Sequence, residues 1–257
     1  MNLVNRVFDN PERFSSVEAL VAVYAYAIQI YADFSGYTDV AIGSARLFGF
    51  ELPKNFDAPY ISQNLQEFWH RWHISLSSWL RDYLYIPLGG SRGAAWKTYR
   101  NLMITMVLGG LWHGASWNFV IWGALHGGAL AMTRMWQRAR GADKGSLVTQ
   151  VVCVVATFHF VCLAWIFFRA PTFAHAIVMI ERIGALARGT VNLAPKVLLV
   201  LAIGFVAHFV PKRWDDRMRD AFSKSPSIAQ GILLAAAAIG IHLAAGAKAE
   251  PFVYGQF

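Results

Sequence analysis

Residues 101–133, NLMITMVLGGLWHGASWNFVIWGALHGGALAMT, form a run of thirty-three residues that contains no Asp, Glu, Lys or Arg. A single continuous helix of this length would be about 50 Å long, well beyond the roughly 30 Å hydrocarbon core of a bilayer. We therefore predict either two short membrane segments that meet near residues 114–116 or one strongly tilted and broken helix.

His113 lies near the middle of this run, with Gly109 and Gly110 before it and Gly114 after it. A titratable side chain at membrane depth costs free energy unless it has partners or lines a cavity, which makes His113 a candidate functional residue. The glycines allow helices or a ligand to approach closely. The alternative is that His113 only joins two helices through a hydrogen bond.

The composition indicates an all-α polytopic transmembrane helical bundle. The chain is 56% hydrophobic and only 15% charged, with a mean hydropathy of +0.39, whereas soluble domains average about 25% charged residues. Four further uncharged stretches cover residues 19–32, 145–168, 197–211 and 225–247. Together with the central run they give an expected number of five or six membrane segments. The amphipathic pattern after Pro171 predicts an interfacial helix.

The positive charges predict a topology. Twelve Lys and Arg residues fall in three loop clusters, 92–100, 134–144 and 212–224, against four in residues 169–196. If the central run is a hairpin, these clusters share one side of the membrane, which the positive-inside rule makes cytoplasmic, and the C-terminus lies outside. The net charge of +8 therefore indicates contact with the lipid bilayer rather than with nucleic acid.

The N-terminal region predicts a loop over residues 1–15, followed by a helix for which Ser16 is the expected N-cap. Further along, Asp33 and Asp39 lie six residues apart in an apolar, glycine-rich setting. We expect these carboxylates to cap helices or to pair with a cation such as Arg46. A direct catalytic role is the second interpretation.

Residues 64–90, NLQEFWHRWHISLSSWLRDYLYIPLGG, predict one helix capped by Ser62 or Asn64. Tryptophans would follow one face of this helix, while another face would carry His70, His73 and Ser77. Such a helix suits the membrane surface or the rim of a cavity, where indole side chains prefer to lie.

Three polar clusters are candidates for chemistry, and they are Asp33 with Asp39, His70 with His73, and His113 with Asn118 and His126. Imidazole is suited to take and return a proton near neutral pH, so two histidines could deprotonate a hydroxyl and orient an electrophile. The pair of histidines in HRWH is also a minor candidate for metal binding, but it needs at least one further ligand. Cys153 and Cys162 are predicted to be packing residues.

Three of these stretches also resemble a known family. YADFSGYTDVAIG, EFWHRWHISLSSWLRDYLYIPLGG and GLWHGASWNFVIWGALHG resemble the core of the membrane-bound O-acyltransferases, above all the alginate O-acetyltransferase branch. The resemblance covers about residues 17–137, with a weaker echo in the C-terminal tail.

The resemblance implies roles for single residues. In this family the histidine of WHG, here His113, is the catalytic base or acyl-relay residue, and the histidine of RWH, here His73, belongs to the same tunnel. Asn118, Asp33 and Asp39 are expected in supporting positions around them. Position 70 is usually arginine in this branch, so His70 is a departure and inherits no role, and no metal is expected.

The implied protein is a single membrane domain, residues 1–257, with a partial membrane-bound O-acyltransferase fold and C-terminal transmembrane helices in residues 145–257. It would reside in the bacterial inner membrane and transfer acetyl from a cytoplasmic thioester such as acetyl-CoA toward hydroxyls of an alginate-like exported polysaccharide. A partner protein outside the membrane would complete the modification. No bound cofactor is expected.

Family members carry further membrane helices before the DFSGY motif, so this chain resembles the C-terminal half of such an enzyme. Two other functions therefore stay open. A transporter or flippase of glycan precursors would move its substrate and form no acyl product, and a non-catalytic fragment would dock on a partner.

Overall fold

A computed structural model of the chain describes residues 2–140 and 145–244. All regular structure in this part is helical, which confirms the predicted all-α class. The eleven α-helices found there are α1 (Asn2–Asp9), α2 (Ser16–Leu47), α3 (Leu65–Arg71), α4 (Ile74–Leu80), α5 (Ala95–His113), α6 (Trp117–Arg140), α7 (Leu147–Arg169), α8 (Phe173–Gly184), α9 (Pro195–His208), α10 (Lys212–Lys224) and α11 (Ser227–Ala244).

The N-terminus is helical rather than a loop. Helix α1 buries Val7 and Phe8, and the Phe8 ring lies 5.8 Å from the ring of Tyr26 on α2. The prediction of a loop over residues 1–15 is wrong here, because apolar residues three and four positions apart give this short segment a face that α2 can bury.

Helix α2 begins one residue earlier than expected. Ser15 is the N-cap: its hydroxyl accepts the Glu18 backbone N–H at 3.1 Å, and the Glu18 carboxylate accepts the Ser15 N–H at 3.0 Å. This is a capping box, which satisfies two backbone donors at once. Ser16 is therefore not the cap; its hydroxyl donates instead to the Arg182 carbonyl oxygen at 2.5 Å.

The central run folds as a hairpin, as one of the two predicted arrangements requires. Helix α5 ends at His113, Gly114 has a φ of +157°, and α6 begins at Trp117. A Cβ atom on Gly110 or Gly123 would collide with the backbone of the opposite helix. The glycines thus allow the two helices to pack backbone against backbone.

Residues 64–90 do not form the single helix that the spacing predicts. They form α3 and α4, separated by Trp72 in an extended conformation and His73 at a φ of +45°. His70 and His73 therefore do not share a helical face, and the tryptophan stripe is interrupted as well. The expected cap is confirmed, since the Asn64 side chain accepts a backbone N–H three residues on at 2.9 Å.

A preceding loop causes this break. The Asn55 carbonyl oxygen accepts the Ile74 N–H at 3.0 Å, and the Asp57 N–H donates to the Arg71 carbonyl oxygen at 2.9 Å. These bonds satisfy backbone groups that a continuous helix would pair internally. Because the bonded residues lie 19 and 14 positions apart in sequence, helical periodicity cannot reveal the break.

Two helices in the described ranges, α2 and α7, are long and apolar enough to cross a membrane, and α9 and α11 are shorter apolar helices. By this criterion the expected five or six membrane segments are only partly supported. The amphipathic segment after Pro171 is helical, as predicted, and α8 buries Ala176 and Met179. Cys153 is half-buried and Cys162 is buried, both as free thiols. Lys144 and the C-terminal tail, residues 245–257, lie outside the described residues.

Candidate active site

His113 lies at the C-terminal end of α5, where the hairpin turns. Its side chain is 7% exposed, and aromatic rings surround it. The nearest ring centroids belong to Trp112 at 4.9 Å, Phe168 at 5.0 Å, Trp122 at 5.4 Å and Phe119 at 6.0 Å. The imidazole therefore lies in a site with little access for water, at the junction of α5, α6 and α7.

His73 occupies the break between α3 and α4. Its Nδ1 lies 3.2 Å from the Asn55 side-chain oxygen, which also accepts the Ser75 N–H at 3.1 Å. Because that oxygen already accepts one N–H, the proton of a neutral His73 belongs on Nδ1, and Nε2 carries the lone pair. The ring of Phe34 on α2 packs edge-on against the imidazole at 4.7 Å.

Ring contacts connect the two histidines: Trp72, next to His73 in the chain, lies 5.1 Å from Trp165, whose ring lies 5.3 Å from Phe168, which packs on His113 at 5.0 Å. His73 lies outside the membrane-crossing helices, and burial lowers its pKa to about 4. The charged form is disfavoured there because it loses its hydration. His73 is therefore neutral at neutral pH, and its unprotonated ring nitrogen can accept a hydrogen bond.

Asn118 supports the position of His113 from a distance. Its side-chain NH₂ donates to the Ala170 carbonyl oxygen at 2.8 Å, which ties the first turn of α6 to the end of α7. The neighbouring residues Phe119 and Phe168 both pack on His113. Asn118 thus joins two of the helices that enclose the imidazole, and its supporting role stays a prediction.

The two aspartates occupy different surroundings from those expected. Asp33 is half-buried and precedes Phe34, which packs on His73, whereas Asp39 is exposed. Neither caps a helix, because α2 continues past both of them to Leu47. No ion pair joins either one to Arg46 in the described part of the chain.

A third histidine, His126, lies fully buried on α6. The Trp69 indole N–H donates to its Nδ1 at 3.3 Å, and the ring of Trp122 lies between the two imidazoles, 4.7 Å from His126 and 5.4 Å from His113. His126 is therefore one aromatic ring away from His113. The sequence reasoning grouped these two histidines, but it missed Asn55 and Trp122, since an asparagine in a loop and a tryptophan in an apolar run carry no local signal of these contacts.

His70, by contrast, is exposed on α3. Among the described residues there is no group of three or more His, Cys, Asp or Glu side chains that could hold a metal ion. The histidines of the HRWH segment cannot act as a pair on one helical face, because the helix breaks before His73.

A sequence comparison covers the part of the chain that contains these histidines. The sequence model of MBOAT, the membrane-bound O-acyltransferase family, matches residues 8–170, a range that contains both histidines and the elements that hold them. The chain belongs to the membrane-bound O-acyltransferase family. It is accordingly a membrane protein, with α2 and α7 as candidate membrane-spanning helices.

Relatives within the family have different polymers in their names. The chain is 51% identical over 164 residues to the probable alginate O-acetylase AlgI of Pseudomonas aeruginosa, covering 64% of this chain and 31% of the relative. It is 44% identical over 174 residues to the peptidoglycan O-acetyltransferase of Helicobacter pylori, covering 68% and 33%. It is 34% identical over 173 residues to the teichoic acid D-alanyltransferase of Bacillus subtilis, covering 61% and 42%.

These identities confirm the resemblance to the alginate O-acetyltransferase branch. The chain spans between 31% and 42% of the length of these three relatives.

Proposed function

We propose that the chain takes part in the transfer of an acetyl group from a thioester donor to a hydroxyl of an exported, alginate-like polysaccharide. The observation that carries the proposal is that His113, which is buried, and His73, which is half-buried, are connected by contacts between aromatic rings. The names of the relatives favour a polymer acceptor, since they refer to alginate, peptidoglycan and teichoic acid.

His113 is the proposed general base. It takes the proton from the acceptor hydroxyl while the hydroxyl oxygen attacks the carbonyl carbon of the thioester. The carbon–sulfur bond then breaks, and the leaving thiolate receives the proton back from His113. A positioned base of this kind typically contributes about a hundred- to ten-thousand-fold in rate. The rings around His113 would also exclude water, which limits hydrolysis of the donor.

His73 is the proposed helper of His113. With its Nδ1 proton held by Asn55, it presents Nε2 as a hydrogen-bond acceptor that can orient the incoming hydroxyl. Its neutral state also avoids placing a positive charge beside His113, which would weaken that residue as a base. Asn118 and Asp33 act only as positioning residues in this scheme, and Asp39 has no direct role.

The donor in this proposal is a cytoplasmic thioester such as acetyl-CoA, which is a substrate rather than a bound cofactor. The acceptor lies outside the bacterial inner membrane, where a polysaccharide-modifying partner protein completes the delivery. The basic clusters of the chain support the orientation, because positive residues favour the cytoplasmic side.

The test replaces His113 by Gln and by Ala in cells that make the polysaccharide and carry the chain in its native genetic setting. Glutamine keeps much of the size and hydrogen bonding of histidine but cannot accept a proton at neutral pH. We expect both variants to accumulate normally in membranes and to lose acetylation by at least about a hundredfold.

Three results would contradict the proposal. A His113→Gln variant with most of its activity would reduce His113 to a structural contact. Movement of the polysaccharide without any acetylated product in the wild type would favour a transporter. Acetylation that persists when the whole chain is deleted would leave only a docking role.

A further inference from the structure

A second cavity lies apart from His113 and His73, enclosed by α3, α4 and the α5–α6 hairpin. Its volume is about 300 Å³, at the lower end of the range for ligand sites. Neither of the two proposed catalytic residues lines it. Its exposed and half-buried side is formed by His70, Arg81 and Arg134, and its buried side includes Trp69, Leu80 and Met106.

The open side of this cavity is positively charged. Arg134 is half-buried and forms no hydrogen bond or ion pair with any residue in the described ranges. Arg81 is exposed and bonds to the adjacent Asp82 at 2.7 and 3.0 Å. No carboxylate belongs to the lining found among the described residues. A half-buried guanidinium without a counter-charge favours an anionic ligand, above all one with a phosphate that can take two parallel hydrogen bonds.

Two buried polar atoms in the lining also lack partners in the described structure. They are the Thr105 hydroxyl, on a residue that is 5% exposed, and the side-chain oxygen of Gln66. Leaving such a group unsatisfied costs free energy, so most buried polar atoms have a partner. Both atoms are shielded from solvent, so the ester oxygens and hydroxyl groups of a ligand would supply the missing partners once the two side chains turn toward the cavity.

We propose that this cavity binds an anionic phospholipid. Its phosphate would lie at Arg134 and Arg81, its glycerol and ester groups near Thr105 and Gln66, and the beginning of its acyl chain against Trp69. Basic pockets between membrane helices on the cytoplasmic side bind anionic head groups in other proteins. Arg134 belongs to a basic cluster that the charge distribution predicts to be cytoplasmic, the side on which anionic lipids create a negative surface potential.

The size and charge of the cavity favour a lipid over a nucleotide-bearing thioester carrier. The apolar wall suits an aliphatic chain, and one phosphodiester carries a single negative charge that Arg134 can balance, since Arg81 is already paired with Asp82. A coenzyme with several phosphates needs more cationic contacts than the lining offers, since Arg81 is paired with Asp82 and leaves Arg134 as the guanidinium without a counter-charge among the described lining residues. The proposal concerns binding alone and stands whether or not the chain transfers acyl groups.

The experiment measures lipid that stays bound to the purified whole chain, by mass spectrometry after delipidation and addition of phosphatidylglycerol or phosphatidylcholine. The variants are Arg134→Gln, which removes the cavity's charge, and Arg138→Gln as the matched control. Arg138 lies one turn further along α6, stacks on Tyr99 at 5.6 Å, and does not line the cavity. We expect phosphatidylglycerol to bind about tenfold more weakly to Arg134→Gln than to the wild type or the control.

Three outcomes would overturn the proposal. Equal retention of phosphatidylcholine and phosphatidylglycerol would show that the head-group charge is not recognised. Equal losses in Arg134→Gln and Arg138→Gln would assign the effect to surface charge. Displacement of the lipid by coenzyme A, with weaker binding of the lipid than of the coenzyme, would make the cavity a carrier site.

Discussion

At the scale of single residues, His73 shows how local backbone strain can serve the proposed chemistry. A non-glycine residue at a φ of +45° is uncommon, and its cost must be offset by the contacts around it. Here the Asn55 side chain accepts from both the Ser75 backbone and, in the assigned tautomer, the His73 ring. One side chain therefore holds the position of the break and decides which ring nitrogen carries the proton.

This geometry predicts that Asn55→Asp changes the pH dependence of acetylation. Burial holds the pKa of His73 at about 4, so the wild-type imidazole is neutral at both pH 6 and pH 8. A carboxylate 3.2 Å from Nδ1 stabilises the protonated form and raises that pKa. We expect the variant to be nearly normal at pH 8 and to lose most of its acetylation at pH 6.

Two variants serve as controls for this pH experiment. His73→Ala should reduce acetylation strongly at every pH, while His70→Arg should be tolerated, because His70 is exposed and lies outside the site. The interpretation fails if Asn55→Asp follows the wild-type pH profile, or if His73→Ala and His70→Arg lose acetylation equally.

At the scale of elements, the α5–α6 hairpin is the most closely packed pair of helices that carries a proposed catalytic residue. A Cβ on Gly123 would lie 2.8 Å from the Cα of Val107, too close for any real contact. A Cβ on Gly128 would meet only the flexible end of Met103 at 3.8 Å. The position of Gly123 therefore has no room for a side chain, whereas the position of Gly128 has, although both glycines lie on α6.

We expect Gly123→Ala to destabilise the hairpin by about 1–3 kcal/mol, the usual cost of overpacking. Gly128→Ala should be neutral or slightly stabilising, since alanine is the better helix former. Thermal unfolding of both variants in the same detergent provides the measurement. Equal melting temperatures for the two variants would contradict the backbone-to-backbone packing.

The hairpin was one of two arrangements predicted from the sequence, because residues 101–133 are too long for one straight span, and a strongly tilted and broken helix was the other. The break at His73 could not be predicted in this way. It depends on hydrogen bonds with Asn55 and Asp57, which local sequence patterns do not indicate. The same reason explains the error at α2, where Asp33 and Asp39 were expected at helix ends. Periodicity reports which side of a helix is buried, and long-range contacts decide where the helix stops.

At the scale of the whole molecule, the charge distribution predicts one orientation in the membrane. Reporter fusions at Ala139 and Ser223 should give cytoplasmic signals, and a fusion after Phe257 should report from outside. The reason is the excess of Lys and Arg in the loops beside the first two positions. Fusions that place Ala139 and Ser223 on opposite sides would refute the two crossings counted between them.

The sequence pointed to the two histidines of the candidate site but not to the aromatic residues that surround them. His113 stands out because a titratable group in an uncharged run needs an explanation, and His73 follows from the family resemblance. Phe34, Trp122 and Phe168, which enclose the two imidazoles, come from three different helices and look like ordinary core residues in the sequence. Their importance depends on which helices meet, and a single sequence does not contain that information.

The short distance between Trp122 and His113 makes the fluorescence of Trp122 a reporter of the protonation of His113. Their ring centroids are 5.4 Å apart, with the rings nearly perpendicular. A protonated imidazole quenches the fluorescence of a neighbouring indole, whereas a neutral one quenches it far less. The fluorescence of Trp122 is the emission of the wild type minus that of Trp122→Phe. We expect this fluorescence to fall whenever His113 is protonated, so that it follows the charge of the proposed base during turnover.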